Sequence, residues 1–399
     1  MWFFFSRKTR RTTTKSSSRP TFRPRVRALE DRCLMSAGML DPTFNPTGSP
    51  PGTAVAPPVG SNDDGYACLV QPSGKVVVAG KEYSGKGITT MLAEFGPNGS
   101  LDPGFGSGGI VTTSKSGAPA GATAGVLYPT ASGDQKILVV GPASNAFGLV
   151  RYNADGSLDT SFNRNGIVNT SFKQAVGQFE GITLVPNGTS PKIVVAGDVG
   201  SFAGVELARY NSDGSLDTTF GSKGTVYVPI PGGMNVSRLT RDPVNGDLVV
   251  FGSGQLAAFT SAGALDSSFG TNGVLNTGGG VYGLTVDNAG RILVGASGGV
   301  ARYSLTGTLD TSWGGTGIVA VPSENLAIQQ DGKVLAVSSS PNGVYRLNAD
   351  GSLDNSFGTN GFAGSGPVGI NVGSPPTITL APNGDIVVGG NSSVPGHWV

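Results

Sequence analysis

Histidine is almost absent. The 399 residues include one, His397. Ser-His-Asp and Cys-His catalysis need a histidine beside a nucleophile, and zinc or non-haem iron sites built on histidine need several. A lone histidine, third from the end, is read as a packing or solvent-facing side chain. Cysteine is nearly as scarce, with only Cys33 and Cys68. Two cysteines build neither a disulfide framework nor a cysteine-based zinc site. Cys68, within Tyr66-Ala-Cys-Leu-Val70, reads as a small buried hydrophobe. No apolar run reaches the roughly 18 residues of a membrane-spanning helix. Charged residues make up 13% of the chain, about half the usual share of roughly 25%.

Glycine is what the chain has in excess. Its 65 copies are more than double the usual share of about 7%. They recur at fixed places beside short apolar runs, which suits many strands joined by tight turns and argues against disorder. Charge is segregated. Residues 1–37 carry ten Lys/Arg and two Asp/Glu, whereas the remainder carries 17 and 24. An acidic body argues against nucleic acid as a partner, because phosphate neutralisation needs Lys and Arg.

A chain of this length without repeats suggests two or three domains, but this one is repetitive. The tetrad Leu-Asp-x-x-[Phe/Trp] begins at Leu40, Leu101, Leu158, Leu216, Leu265, Leu309 and Leu353, in steps of 61, 57, 58, 49, 44 and 44 residues. Periods of that size mean a propeller, solenoid or array. A second motif alternates with it, also seven times: a turn and then a continuous β-branched run, as in Gln71-Pro-Ser-Gly-Lys-Val-Val-Val-Ala-Gly80. Continuous apolar runs of this length fit strands buried on both faces. An apolar strand precedes each turn, giving a buried hairpin of strands A and B.

The tetrad belongs to a second hairpin, strands C and D. In Leu149-Val-Arg-Tyr-Asn-Ala-Asp-Gly-Ser-Leu-Asp-Thr-Ser-Phe162, Ala154-Asp155-Gly156 suits a three-residue loop closed by a left-handed glycine. That register sets Tyr152 opposite Leu158 and Arg151 opposite Asp159. The same eight-residue spacing holds for Glu94/Asp102, Arg209/Asp217, Ala258/Asp266, Arg302/Asp310 and Arg346/Asp354. Length variation falls in the loops, the mark of a repeated four-stranded unit. The expected fold is an all-β, seven-bladed β-propeller over residues 38–399. Residues 38–44 are expected to supply a strand that pairs with residues 395–399, closing the ring and removing an unpaired edge.

The units at 151–162 and Gln329-Gln-Asp-Gly-Lys-Val-Leu-Ala-Val337 resemble the bacterial delta-60 repeat family. The resemblance covers residues 38–399. It implies a β-propeller repeat and brings no assigned biochemical activity. The strand pattern is also similar to that of NHL propellers, which mostly bind partners. Trp313 in place of phenylalanine is a departure. In the basic segment, Leu29-Glu-Asp-Arg-Cys-Leu-Met-Ser-Ala37 resembles the LEPR-XLL type N-terminal motif, with Asp31 where that pattern has proline. This resemblance implies export or surface sorting, with residues 1–37 a basic, disordered sorting segment.

Three sets of carboxylates invite a chemical reading. Asn153/Asp155/Asp159, Asn211/Asp213/Asp217 and Asn348/Asp350/Asp354 resemble part of an acidic calcium loop, yet Asn98-Gly99, Ala262-Gly263 and Thr306-Gly307 keep the turn without the ligands. Calcium wants six to eight oxygens, so turn stabilisation is the expected role. The tetrad Asp is expected to cap the backbone of the turn after it, and the tetrad Phe to fill the core between blades. The pairs with Arg are placed near blade edges. Asp63, Asp64, Glu180 and Glu324, just before strand A, could ring the channel mouth and hold a metal, as in gluconolactonase-like propellers. They share no spacing and are read as solvated loop acids.

No catalytic, cofactor-binding or metal-ligating residue is therefore assigned. The expected function is a non-catalytic, exported or cell-surface binding or structural module, with a protein or cell-envelope polysaccharide as partner and the chain monomeric. The rival readings are a hydrolase or lactonase with a carboxylate–metal site in the channel, and a calcium-stabilised adhesion module.

Overall fold

The computed structural model describes residues 38–48, 51–60, 62–85, 87–143, 146–171, 176–200, 203–364 and 376–390. Blade 1 comprises β1 (Asn62–Val70), β2 (Val76–Ser84), β3 (Gly87–Phe95) and β4 (Ile110–Thr113). Blade 2 holds β5 (Ala124–Pro129), β6 (Gln135–Ala143), β7 (Ala146–Tyr152) and β8 (Ile167–Ser171). Blade 3 holds β9 (Val176–Val185), β10 (Lys192–Val199), β11 (Gly204–Tyr210) and β12 (Thr225–Pro229). Blade 4 is built from β13 (Val236–Arg241), β14 (Leu248–Gly252), β15 (Gln255–Phe259) and β16 (Val274–Asn276). Blade 5 follows with β17 (Val281–Val286), β18 (Ile292–Ala296), β19 (Gly299–Tyr303) and β20 (Ile318–Val319). Blade 6 ends the series with β21 (Asn325–Ile328), β22 (Val334–Ser339), β23 (Asn342–Leu347) and β24 (Phe362–Gly364). Every blade is an antiparallel meander in chain order.

Six four-stranded blades are present among the described residues, not the seven expected. The seventh repeat contributes a two-stranded hairpin, β25 (Thr377–Leu380) and β26 (Ile386–Gly389). The first strands of successive blades touch one another from β1 round to β21, and β25 touches both β21 and β1. Residues 365–375 and 391–399, on either side of that hairpin, lie outside the described residues. In six repeats the fourth strand starts nine residues after the tetrad Leu. Nine residues after Leu40 the sequence reads Ser49-Pro-Pro-Gly52, and proline has no N–H to give to a ladder. Residues 38–44 form turns, not a strand. Their expected partners, residues 395–399, lie outside the described residues, as does His397.

The second strands carry the core. Ile137, Leu138, Val139 and Val140 in β6 are all fully buried. Ile137 and Val139 pack toward blade 1, while Leu138 and Val140 pack toward blade 3. Alternation in a strand with neighbours on both faces turns a continuous apolar run into two interfaces. Each such side chain contributes about 1.5–3 kcal/mol of burial.

The tetrad is a turn rather than the fourth strand, and this corrects its placement. Tyr152 and Leu158 form one bridge. Phe162 N–H then bonds Asp159 O at 3.0 Å and Gly166 N–H bonds Phe162 O at 2.7 Å, after which the chain returns as β8 beside β7. The turn also joins blades. Gly106 N–H, just after tetrad Phe105, donates to Asp155 O of blade 2 at 2.8 Å. Asn163, Gly221, Gly270 and Gly314 make the same bond to the next blade. Gly156 must be glycine there. Its φ is +81°, and a Cβ would lie 2.6 Å from Val111 Cγ2 and 3.0 Å from Phe105 Cε2, too close for any side chain.

The N-terminal segment uses this same joint. Phe44 N–H bonds Asp41 O at 3.1 Å, and Asn45 N–H bonds Asn98 O of blade 1 at 2.8 Å. At its other end a Cβ on Gly38 would sit 3.2 Å from the ring of Phe357, the tetrad aromatic of blade 6. Residues 38–45 thus touch blades 6 and 1 through turns.

Candidate functional site

The tetrad carboxylates are consumed by the scaffold. Asp159 Oδ1 accepts Ser161 N–H at 3.1 Å and Ser161 Oγ–H at 2.6 Å. Its Oδ2 accepts Arg151 Nε and Lys136 Nζ, both at 2.6 Å. Arg151 Nη1 reaches Ser212 O of blade 3 at 2.6 Å, and its guanidinium lies 4.3 Å from the Phe162 ring centre. Burial alone would raise the Asp159 carboxyl, but the bonds from Lys136, Ser161 and Arg151 outweigh it and bring it down to about 2. Asp217 with Lys192 and Arg209, and Asp354 with Lys333 and Arg346, repeat the arrangement. Capping of the following turn is as expected. The expected position near blade edges is not: Arg151 and Asp159 are each 4% exposed, because the next blade covers them. The third partner, lysine, was not paired with the tetrad in the sequence because it precedes the Asp by 23 residues on another strand.

The calcium-like motifs do not converge on a common point. Asp155 Oδ1 accepts Ser157 N–H at 2.9 Å and Ser157 Oγ–H at 2.6 Å, closing its own turn, while Asp159 faces Arg151 and Lys136. Asp213 and Asp350 repeat the local pattern.

The channel-mouth carboxylates part company. Asp63 is buried and accepts the N–H groups of Val59 at 2.8 Å and Gly60 at 3.2 Å. Glu324 accepts Ser339 N–H at 3.1 Å and also the Ser339 hydroxyl, tying the start of β21 to the end of β22. The side chain of Glu180 lies outside the described residues. Among the described residues no three His, Cys, Asp or Glu are grouped to hold a metal ion.

Asp64 belongs to a cluster that sequence reasoning missed. A bulge in β1 between Gly65 and Ala67 leaves Tyr66 unpaired, and bulges re-aim a side chain. Tyr66 Oη lies 3.4 Å from Asp64 Oδ2, and Lys81 Nζ sits 4.6 Å from the Tyr66 ring centre. Burial and then Asp64 push the Tyr66 and Tyr83 phenols above their usual range, so both stay protonated donors at neutral pH. Nearby Cys68 is buried and its thiol is pushed up to about 12 by burial, far from a reactive thiolate. This corner can hold a ligand by hydrogen bonds and a cation–π face. A bulge has no sequence signature here beyond the tyrosine itself.

The walls around this mouth are uneven. Strand β3 begins seven residues before Glu94, whereas β15 and β19 begin three before Ala258 and Arg302. At about 3.3 Å per residue, the blade 1 hairpin stands roughly 13 Å taller than those of blades 4 and 5.

The family described as "Domain of unknown function (DUF5122) beta-propeller" matches residues 71–105, 133–162, 192–220 and 329–357. Each match ends on a tetrad phenylalanine. The chain is a β-propeller repeat protein. None of the curated proteins matches the propeller in sequence. Among solved structures it is similar to streptogramin B lyase, with 15% identity over 85% of this chain and 94% of that one, at a TM-score of 0.53. Virginiamycin B lyase from Staphylococcus aureus is 13% identical over 86% and 96% of the two chains, at 0.55. Sqt1 from Chaetomium thermophilum is 12% identical over 85% and 95%, at 0.50. Identities this low establish the fold alone, and one fold hosts many functions.

Proposed function

We propose that the chain is an exported, non-catalytic propeller that works as a binding or structural module for a protein or a cell-envelope polysaccharide, a member of the delta-60 type of repeat. One observation carries this reading. The tetrad acids are spent inside the scaffold, on turns and in three blades on lysine–arginine clamps as well, while the loops that join the strands differ in length from blade to blade. Variable loops on a rigid frame are where recognition is placed. The basic segment at 1–37 and its LEPR-XLL-like motif support export.

The fold neighbours include a lyase, and a catalytically inactive His-to-Ala variant of virginiamycin B lyase has been solved. This chain has one histidine in all, which weighs toward binding. The test is a pull-down of envelope fractions with the purified full chain, run beside metal analysis and fractionation of cells producing a tagged copy. The reading expects a saturable envelope ligand, no stoichiometric metal and tag outside the cytoplasm. A chain that stays in the cytoplasm, captures nothing from the envelope, or carries one tightly held metal and turns over a lactone overturns it.

A further inference from the structure

Two adjacent repeats depart from the others on the face that bears the turns between first and second strands. Between equivalent paired positions the turn spans six residues in blade 1 (Val70↔Val76), blade 5 (Val286↔Ile292) and blade 6 (Ile328↔Val334). It spans ten in blade 2 (Leu127↔Ile137) and nine in blade 3 (Leu184↔Ile193). Insertions into particular repeats map to one face, often the binding face. Here the two lengthened hairpins stand side by side. Tyr128 Oη of blade 2 donates to Pro191 O of blade 3 at 2.8 Å, tying them together.

Between them lies an open groove of about 800 Å³, continuous through Pro129, Thr130, Ala131 and Thr189 with a second hollow of about 530 Å³. The first volume is of the size that holds a drug-sized ligand. Its floor is formed by Lys136 and Arg151, whose charges Asp159 already engages. Its walls are turns whose backbones are internally bonded: Thr130 N–H to Asp134 O, Gly133 N–H to Thr130 O and Ser190 N–H to Asn187 O, each at 3.1 Å. No strand edge is offered, so a peptide has nothing to pair with. Among the groups lining the groove are the hydroxyls and carboxylates of Ser132, Thr189, Ser190, Asp134, Asp155 and Asp213. The Ser157 and Ser215 hydroxyls, then their N–H groups, hold Asp155 and Asp213 below the usual carboxylate range, so both are ionised acceptors. The adjoining hollow is apolar, lined by Pro129, Leu184, Pro186 and Pro191. Proline fixes the backbone, and a preformed wall lowers the ordering cost of binding.

We propose that this groove is a binding site for a neutral oligosaccharide. Carboxylates and serine or threonine hydroxyls accept and donate to adjacent sugar hydroxyls, while the proline-lined hollow takes a C–H face. Asp134, Asp155 and Asp213 repel uronic acids and sulfated or phosphorylated sugars. The site rests on the binding-module reading and names its ligand class.

The test is a glycan array carrying neutral and uronic-acid oligosaccharides, probed with the full chain. Hits are then titrated calorimetrically with free trisaccharide against wild type, Ser132→Trp, Thr189→Trp and Tyr282→Ala. Ser132 and Thr189 are exposed, so the tryptophans fill the groove without disturbing the core, which an unchanged melting temperature verifies. Neutral glycans are expected to bind, with affinity falling about tenfold or more in both tryptophan variants and not in Tyr282→Ala, an exposed β17 residue that does not line the groove. No neutral hit, a preference for uronic acids, or binding indifferent to Ser132→Trp overturns the proposal. So does selection from a peptide library of sequences that Ser132→Trp blocks. If wild type and Ser132→Trp retain the same envelope ligand equally, the groove is wrong and the binding module stands; if neither retains any, both fail.

Discussion

Blades 3 and 4 are neighbours built on one plan, and they treat the tetrad aspartate in opposite ways. In blade 3, Asp217 receives Lys192 and Arg209, both at 2.6 Å. In blade 4 the corresponding positions are Asp247 and Ala258, and Asp266 keeps only Ser268 N–H at 3.0 Å and Ser268 Oγ–H at 2.7 Å. The joint to the next blade survives without the cations: Gly270 N–H bonds Thr306 O at 2.9 Å and Phe269 remains fully buried. The turn cap is therefore the structural minimum of the repeat, and the clamp is an addition to it. The two blades also differ further along the third strand. Blade 3 buries Glu206, 2% exposed and with Oε2 unpaired, where blade 4 has Gln255, whose Nε2 reaches Pro231 O at 3.2 Å.

The largest difference is expected when each tetrad acid is removed. Asp217→Ala strands two cations at a covered site and is expected to cost about 3–5 kcal/mol. Asp266→Ala loses a cap alone and is expected to cost about 1 kcal/mol. Urea denaturation of the two variants measures this, and equal losses would show that the clamp adds nothing to the cap. Asp217→Asn, which keeps an acceptor for the turn, is expected to fall between.

Glu206→Gln copies blade 4 into blade 3. Burial raises the Glu206 carboxyl to about 7, above its unfolded value of about 4.3. The folded state thus holds the proton more tightly. Stability from this group is intact below about pH 4 and is lost as pH rises through about 7. At pH 8 the glutamine variant is expected to be more stable by roughly 2 kcal/mol, with the gain gone at pH 4. A gain that does not change with pH would mean that the carboxyl is ionised in the fold at both values.

Acid should act on the clamped blades in the reverse sense. The folded Asp159 carboxyl is depressed to about 2, so its contribution is present above about pH 4 and lost as pH falls toward 2. The Asp159→Asn variant is expected to flatten the acid limb of a stability profile by about 1–2 kcal/mol.

The smallest effect is a repair. Burial, then Asp266 and Asp242, push the Asp247 carboxyl up. Asp247→Lys removes that repulsion and offers Asp266 a cation, for a gain of about 0.5–1 kcal/mol given the exposure of the pair. High salt should remove the gain. A loss of stability instead would show that blade 4 has closed over the place its cation would take.

Sequence alone was enough for the repeat, for the buried first and second strands, for the three-residue turn and its register, and for the capping role of the tetrad Asp. All of these are recorded locally, in residue spacing and in short continuous apolar runs, where sequence maps directly onto geometry. The tertiary structure alone decided that the tetrad is a turn with the fourth strand beyond it, because strand and turn are distinguished by a partner on β7 and not by the tetrad residues. It decided the count of six four-stranded blades among the described residues as well. The copies are seven in sequence, and the described part of the seventh pairs as a two-stranded hairpin. It also buried the Arg–Asp pairs under the next blade, recruited lysines from another strand, and set two lengthened turns side by side to make a groove. Each of these joins residues from different strands or blades, and no period along one chain records which surfaces close over which.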